Sequence, residues 1–384
     1  MNIAFFSDSY RPYTSGVVQS IETFRSEFHS LGHNVYIFAP NYPNCKKEKA
    51  VFRFMSIPAP TLHDFTLAIP IAPSLGRTVE DLKIDVIHVH SPFLLGRLGA
   101  KTAKKHNIPL VYTYHTLYDH YVHYLPIAQN LTRWVVRKVS KEFCNNCDLV
   151  ITPTKAVQNV LMQYGVNSQI RTVPTGINLK EYGCGDHNWL QATYGILPKD
   201  LILLFVGRLA QEKNLEFLLR AFQIILRSCT NTTLVLVGGG PQESYFRQLC
   251  SKLQIDKKVV FTGSLSHKQV INAYLSADIF VFSSVTETQG LVLGEAKAAG
   301  LPVVAVEAFG TKEMVGHEID GFLTPMDLNI FSHSIIRLLR QPELRLKFGN
   351  NAKHTVQNIS SNYSAECLLG YYNQILNYKN RAVS

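Results

Sequence analysis

The sequence predicts an α/β protein of two domains, each a doubly wound parallel sheet. Three observations carry this. The chain has 384 residues, long for one domain and suited to two. Short apolar runs alternate with helix-like segments in both halves. The runs are continuous rather than alternating, as in strands buried on both faces.

In the first half the runs are Ile3–Phe6, Val35–Phe38, Val86–Val89, Leu110–Tyr112 and Leu149–Ile151. Helical periodicity fills the gaps, as at Val17–Leu31, which Gly32 terminates. The second half starts afresh with Leu201–Val206, Thr233–Val237, Val259–Thr262, Ile279–Phe282 and Val303–Val306. Helices are expected at Leu215–Leu226, Ser244–Leu253 and Leu291–Ala299. The stretch Thr175–Asp186, with Gly176, Gly183 and Gly185, reads as the linker. The expected domains are residues 1–180 and 187–362, with a last helix over about 363–384 returning to the first. Ligands of such sheets bind outside the carboxyl ends of the strands. Two domains would set two such edges face to face across a cleft.

An apolar fraction of 46% against 17% charged residues gives each half a substantial core and excludes wholesale disorder. The net charge of +10 is uneven. Residues 1–185 hold 19 Lys and Arg against 12 Asp and Glu, a surplus of seven; the rest holds 19 against 16, a surplus of three. A basic first half suits an acidic partner such as a membrane surface, or is solubility charge. Seven scattered cysteines suit a reducing compartment, and Cys144 and Cys147 read as ordinary helix residues. MNIAFFSD is strand-like and lacks a signal-peptide layout. No apolar run reaches the about 20 residues of a membrane-spanning helix, so membrane contact is expected to be peripheral. No feature matches a nucleic-acid recognition module, and none sets an oligomeric state.

The main motif is Thr286–Gly300, TETQGLVLGEAKAAG. On one helix, Glu287 and Glu295 would stand about 12 Å apart. A retaining-glycosidase carboxylate pair needs about 5–5.5 Å, so these two suit the ends of one long ligand. Gly290, Leu291 and Val292 fall where a helix begins, and exposed N–H groups there favour a diphosphate. The second motif is VGRLAQEKN, in which Gly207 ends a strand and Arg208 and Lys213 follow. A cation about 4 Å from a pyrophosphate contributes about 4 kcal/mol at an effective dielectric of about 20, before desolvation. The pair could stabilise a departing diphosphate without a metal, or could be two solvated charges. In VGGGP, Gly239 allows close backbone approach or simply makes a turn. Ser15-Gly16-Val17 opens the first helix, and His115 closes a strand run from Leu110, each at a carboxyl edge. In LTRWVVRKVSKEF, Arg133, Arg137 and Lys141 recur every four residues with Lys138 beside them. Leu131, Trp134, Val135, Val139 and Phe143 form the apolar side. This basic amphipathic helix suits a membrane surface, or a buried helix with a solvated face.

Together these residues resemble the retaining glycosyltransferases of family 4, which have the GT-B fold of two Rossmann-like domains. Glu287 and Glu295, Gly207-Arg208 with Lys213, the early Ser15-Gly16-Val17 and His115 come in the family's order across nearly the whole chain. FSDSYRPYTSGVVQSI, TYHTLYDHYVHY and TETQGL are most similar to the bacterial diacylglycerol glucosyltransferases. The chain departs from that pattern at Asp119 and His120, on the acceptor side.

The resemblance implies that Glu287 binds donor sugar hydroxyls, Glu295 the ribose, and Arg208 and Lys213 the diphosphate. It implies backbone contacts from Gly16, Gly290 and Leu291, and a place for His115 near the reacting centre. The implied reaction moves glucose from UDP-glucose to diacylglycerol with retention. It would run without a metal or other cofactor, at the cytoplasmic face of the membrane, docked through the basic helix. Alternatives are another lipid such as phosphatidylinositol, a soluble acceptor, a sugar-nucleotide epimerase, or a nucleotide-binding module without catalysis.

Overall fold

The computed structural model describes residues 1–43, 45, 47–59, 65–117 and 129–383. Asp119 and His120 lie outside them. The chain divides into two compact units, Met1–Gly176 with Ser361–Ser384, and Ile177–Ser360.

The first unit holds strands β1 (Asn2–Phe6), β2 (Asn34–Pro40), β3 (Val51–Phe54), β4 (Ser56–Pro58), β5 (Thr66–Ala68), β6 (Val86–Val89), β7 (Leu110–Thr113), β8 (Leu149–Thr152) and β9 (Ile170–Thr172). Seven of them form one sheet in the order β3-β2-β1-β6-β7-β8-β9, every pair parallel. β4 and β5 form a separate antiparallel ribbon. Ile3, Ala4, Phe5 and Phe6 are all fully buried, because helices cover both sheet faces. Helix Gly16–Ser30 follows β1; the Ser15 side chain accepts from the Val18 N–H and caps it, and Gly32 leaves it at φ +80°. It buries Ile21, Phe24 and Phe28. Helix Ser361–Val383 meets the same core with Ala365, Leu368, Leu369, Tyr372 and Ile375, again at three- and four-residue spacing. The Phe28 and Tyr372 rings lie 5.9 Å apart, edge to face.

The second unit holds β10 (Leu201–Val206), β11 (Thr232–Val237), β12 (Val259–Gly263), β13 (Ile279–Phe282), β14 (Val303–Val306) and β15 (Gly321–Thr324). Their order is β12-β11-β10-β13-β14-β15, all parallel. In both sheets the order reverses beside the first strand, at β1/β6 and at β10/β13, which makes each sheet doubly wound. The glycines of Thr175–Asp186 mark a linker longer than the one that exists. Ile177 and Tyr182 are buried in the second unit's core, and the Asp186 N–H bonds Asn272 Oδ1 at 3.2 Å.

The glycines after β11 serve packing between loops. The Leu209 N–H donates to the Gly239 carbonyl at 3.0 Å, and the Gly207 N–H to Val237 at 2.9 Å. A Cβ on Gly238, whose φ is +129°, would stand 2.1 Å from the Gly207 carbonyl oxygen; one on Gly240 would stand 2.3 Å from that of Leu209. The turn thus holds the Arg208 loop by backbone contact. Gly238→Ala is expected to cost about 2–4 kcal/mol in chemical denaturation, through strain and clash together. A midpoint within error of the parent would show that the two loops separate at no cost.

Candidate active site

In the second unit two loops leave adjacent strands at the β10/β13 switch point. One runs from Gly207 through Arg208 to Lys213; the other runs from Ser283 to Gly290. Lys213 Nζ forms an ion pair with Glu287 Oε1, each side chain 19% exposed. The pair is therefore shielded but reachable. Ser284 Oγ stands 3.0 Å from Glu287 Oε1 and 3.0 Å from the Glu212 carbonyl oxygen. Ser283 Oγ donates to the Lys213 carbonyl at 2.8 Å. Asn214, at φ +53°, starts helix Leu215–Ser228, and its Nδ2 donates to the Ser283 carbonyl at 3.4 Å. The two loops are thus laced together. Arg208 is exposed on the same loop and forms no ion pair among the described residues.

Glu287 and Glu295 do not share a helix. Gly290, at φ +79°, turns the chain between them, and helix Leu291–Ala298 begins there. Leu291 and Val292 are its first residues, so their N–H groups belong to the unpaired first turn. Glu295 is 7% exposed on that helix, and the Tyr274 hydroxyl donates to its Oε2 at 2.8 Å. Burial, with Glu295 adding to it, holds the Tyr274 phenol well above its usual range. That phenol is therefore a lasting donor. The sequence reading missed Ser283, Ser284 and Tyr274, which orient the residues it singled out.

In the first unit Gly16 opens the helix after β1, and His115 lies two residues beyond β7. His115 is one member of a stack. Ring centroids are 4.4 Å apart for His88 and His90, and 5.3 Å for His90 and His115. His90 Nδ1 and His115 Nε2 are 3.0 Å apart. His88 is bonded on both sides, by the Tyr372 hydroxyl at Nδ1 and by Thr113 Oγ1 at Nε2, the latter 2.7 Å away. His90 Nε2 is buried with no hydrogen-bond partner among the described residues.

The residues of the basic segment lie on helix Gln129–Asn145. Trp134 and Val135 do not face inward: they are 59% and 43% exposed, on the side that carries Arg133, Arg137 and Lys138. Ser140, Phe143 and Cys144 are buried instead. Lys138 Nζ lies 5.2 Å from the Trp134 ring, Arg137 lies 5.2 Å from that of Tyr164, and Lys141 packs against Gly165. The outward face is therefore cationic and aromatic together. Cys147 lies in the turn after this helix, not on it, and burial raises both thiols, that of Cys144 to about 12. Among the described residues no helix is long and apolar enough to cross a membrane.

Burial pushes all three stacked imidazoles down, His115 to about 3 from 6.5. They stay neutral in the fold, whereas an unfolded chain takes up their protons below about 6.5. Stability is then complete above about pH 6.5 and falls as pH drops toward 3. Each group contributes about 1.4 kcal/mol per pH unit once its unfolded form is protonated. His88→Asn is expected to flatten the decline in chemical-denaturation midpoint between pH 6.5 and 5; an unchanged slope would mean that His88 is protonated in the fold.

Residues 14–181 match the profile of Glycosyltransferase Family 4, and residues 190–355 that of glycosyl transferases group 1. The chain is 28% identical to the alpha-monoglucosyldiacylglycerol synthase of Acholeplasma laidlawii, over 100% of both chains. It is 32% identical to that of Streptococcus pneumoniae, over 79% of this chain and 71% of the other. The solved sucrose-phosphate synthase of Thermosynechococcus elongatus, 24% identical, shares the fold at a TM-score of 0.81, over 98% of this chain and 99% of its own. The two doubly wound units are therefore the Rossmann-like units of a GT-B enzyme, and the chain belongs to glycosyltransferase family 4.

Proposed function

We propose that this enzyme transfers glucose from UDP-glucose to the free hydroxyl of a diacylglycerol, with retention, at the cytoplasmic face of the membrane. The observation that carries this reading is the Lys213–Glu287 pair at the β10/β13 edge, in a chain similar end to end to a monoglucosyldiacylglycerol synthase. In the proposed reaction the bond from the sugar's anomeric carbon to the diphosphate oxygen breaks. A bond from that carbon to the glycerol oxygen forms on the same face. The glycerol proton passes to the departing diphosphate. Lys213 exchanges its carboxylate partner for the diphosphate, and Arg208 adds a second cation. No metal is needed for that stabilisation. Glu287, released from Lys213, accepts from the donor sugar's hydroxyls. Glu295 takes the ribose, with Gly16, Gly207, Gly239, Gly290, Leu291 and Val292 lining the donor by backbone. His115 acts as a neutral group near the reacting carbon.

The membrane contact rests on the outward face of helix Gln129–Asn145. Near an anionic leaflet each exposed cation contributes about 1 kcal/mol, and Trp134 suits the interface.

Lys213→Ala is expected to lower kcat/KM about a hundred- to thousandfold while the thermal midpoint falls by no more than about 4 °C. Activity within threefold of the parent would sink the assigned role. The donor is read by supplying UDP-glucose, UDP-galactose and GDP-mannose in turn with diacylglycerol in anionic vesicles. Glycolipid is expected from UDP-glucose; faster turnover of either other donor overturns the sugar assignment. Replacing Arg133, Arg137 and Lys138 together by Ser is expected to weaken binding to anionic vesicles about a hundredfold at low salt, and far less at high salt. Equal binding by parent and variant at low salt would remove this helix from the membrane contact.

A further inference from the structure

The first unit has its own switch point, at β1/β6, and a cavity of about 510 Å³ opens there. Asp8, just past β1, and Phe93 and Leu94, just past β6, line one side; Phe65, Leu67 and Ala68, in and beside β5, line the other. The volume suits a small ligand, and this is where a doubly wound sheet binds one.

The wall offers little to a polar ligand. Asp8 Oδ1 accepts the Leu95 N–H at 2.8 Å, and Ser91 Oγ donates to Oδ2. Thr66 Oγ1 donates to the Asn41 carbonyl at 3.0 Å, and Arg97 Nε is 3.3 Å from the Pro92 carbonyl oxygen. Among the described lining side chains, the terminal nitrogens of Arg97 are the donors left to a phosphate, and Asp8, already bonded at both oxygens, would repel it. The apolar surface continues outward instead. Ile57, 54% exposed, stands directly across the ribbon from Leu67. Phe93 and Leu94 are 48% and 39% exposed, and Met55 and Ile71 each 75%. An apolar cavity wall whose rim, at Phe93, Leu94 and Ile57, is itself exposed and apolar marks a lipid or partner site. The positive surplus of residues 1–185 favours an anionic bilayer as the source.

We infer that this cavity takes one acyl chain of the lipid acceptor, which rests on the lipid-acceptor reading above. A chain leaving a bilayer for this wall exchanges one apolar solvent for another, so the transfer itself is nearly neutral, and a chain too short to fill the cavity is not held in place by it. What the cavity supplies is placement. It seats the chain at the carboxyl edge of the sheet and brings the attached glycerol there with it.

The test uses the full chain and Leu94→Asp. Leu94 is the first residue of helix Leu94–Lys105, where a carboxylate favours the helix, so the variant is expected to fold. UDP affinity and thermal midpoint check that it has. Two readouts follow: fluorescence of cis-parinaric acid without vesicles, and KM for diacylglycerols of six to sixteen carbons per chain. The parent is expected to bind the probe and to prefer long chains. In Leu94→Asp probe affinity should fall at least tenfold and the chain-length preference should shrink by a similar factor. Equal probe affinity in parent and variant, or KM values that rise by one factor at every chain length, overturns the acyl site. So does a parent that self-associates through this face, seen as a dimer that Leu94→Asp dissociates with chain-length preference intact. A parent that binds the probe but glycosylates no diacylglycerol instead overturns the acceptor reading and leaves the cavity's ligand class standing.

Discussion

A parallel sheet covered on both faces leaves its strands no side chain for solvent chemistry, and the rest of the molecule follows from that. Ile3–Phe6 and Ile202–Phe205 are fully buried, so neither strand can carry a reactive group. Reachable polar groups therefore gather in the loops and first helical turns at the carboxyl ends. At β10/β13 the register Leu203↔Ile279 and Leu204↔Phe280 brings the two departing loops side by side. That alignment lets Lys213 and Glu287 meet across 74 positions of sequence. The glycines after β11 then let the next loop stack against Gly207 and Leu209, which fixes the backbone that carries Arg208.

The pair also shapes how such a site could work. An unpartnered charge in a shielded loop is costly, so the lysine and carboxylate neutralise each other in the ligand-free protein. In the transfer we propose, the diphosphate replaces Glu287 as the partner of Lys213. The carboxylate gains sugar hydroxyls in exchange and keeps Ser284 beside it. Neither charge is stranded at any stage, and neither loop must be rebuilt. Glu295 stands apart from this exchange, held on its own helix by the buried Tyr274 phenol.

Much of this was legible in the sequence, for a physical reason. Strands buried on both faces read as continuous apolar runs, so Leu201–Val206 and Ile279–Phe282 announced themselves. β3, β4, β5, β9 and β15 did not. Val51–Phe54 carries Arg53, Thr66–Ala68 and Ile170–Thr172 have three residues each, and Gly321–Thr324 starts on glycine. Such segments become strands by pairing with neighbours, not by their own pattern. The residues that orient the site were hidden likewise, since Tyr274 meets Glu295 and His90 meets His115 only in the fold. For helix Gln129–Asn145 the period marked an apolar side but could not say which side faces in. Packing through Ser140, Phe143 and Cys144 decided that, and left Trp134 outside with the cations.

Both sheets reverse their strand order beside their first strand, so side chains rather than topology set what each carboxyl edge can do. The histidine stack shows how far that reasoning reaches. All three imidazoles are held neutral by burial, so each carries one N–H. His88 is satisfied in either tautomer, because the Tyr372 and Thr113 hydroxyls can each donate or accept. His90 has no such freedom. Its Nε2 is buried without a hydrogen-bond partner among the described residues, and a buried N–H left unpaired is harder to accommodate than a bare lone pair. His90 therefore carries its proton on Nδ1 and donates it to His115 Nε2 across 3.0 Å. His115 must then hold its own proton on Nδ1. A His90 nitrogen with no partner among the described residues, one position past β6, thus sets the tautomer of a residue two positions past β7, and with it which ring atom of His115 is a donor.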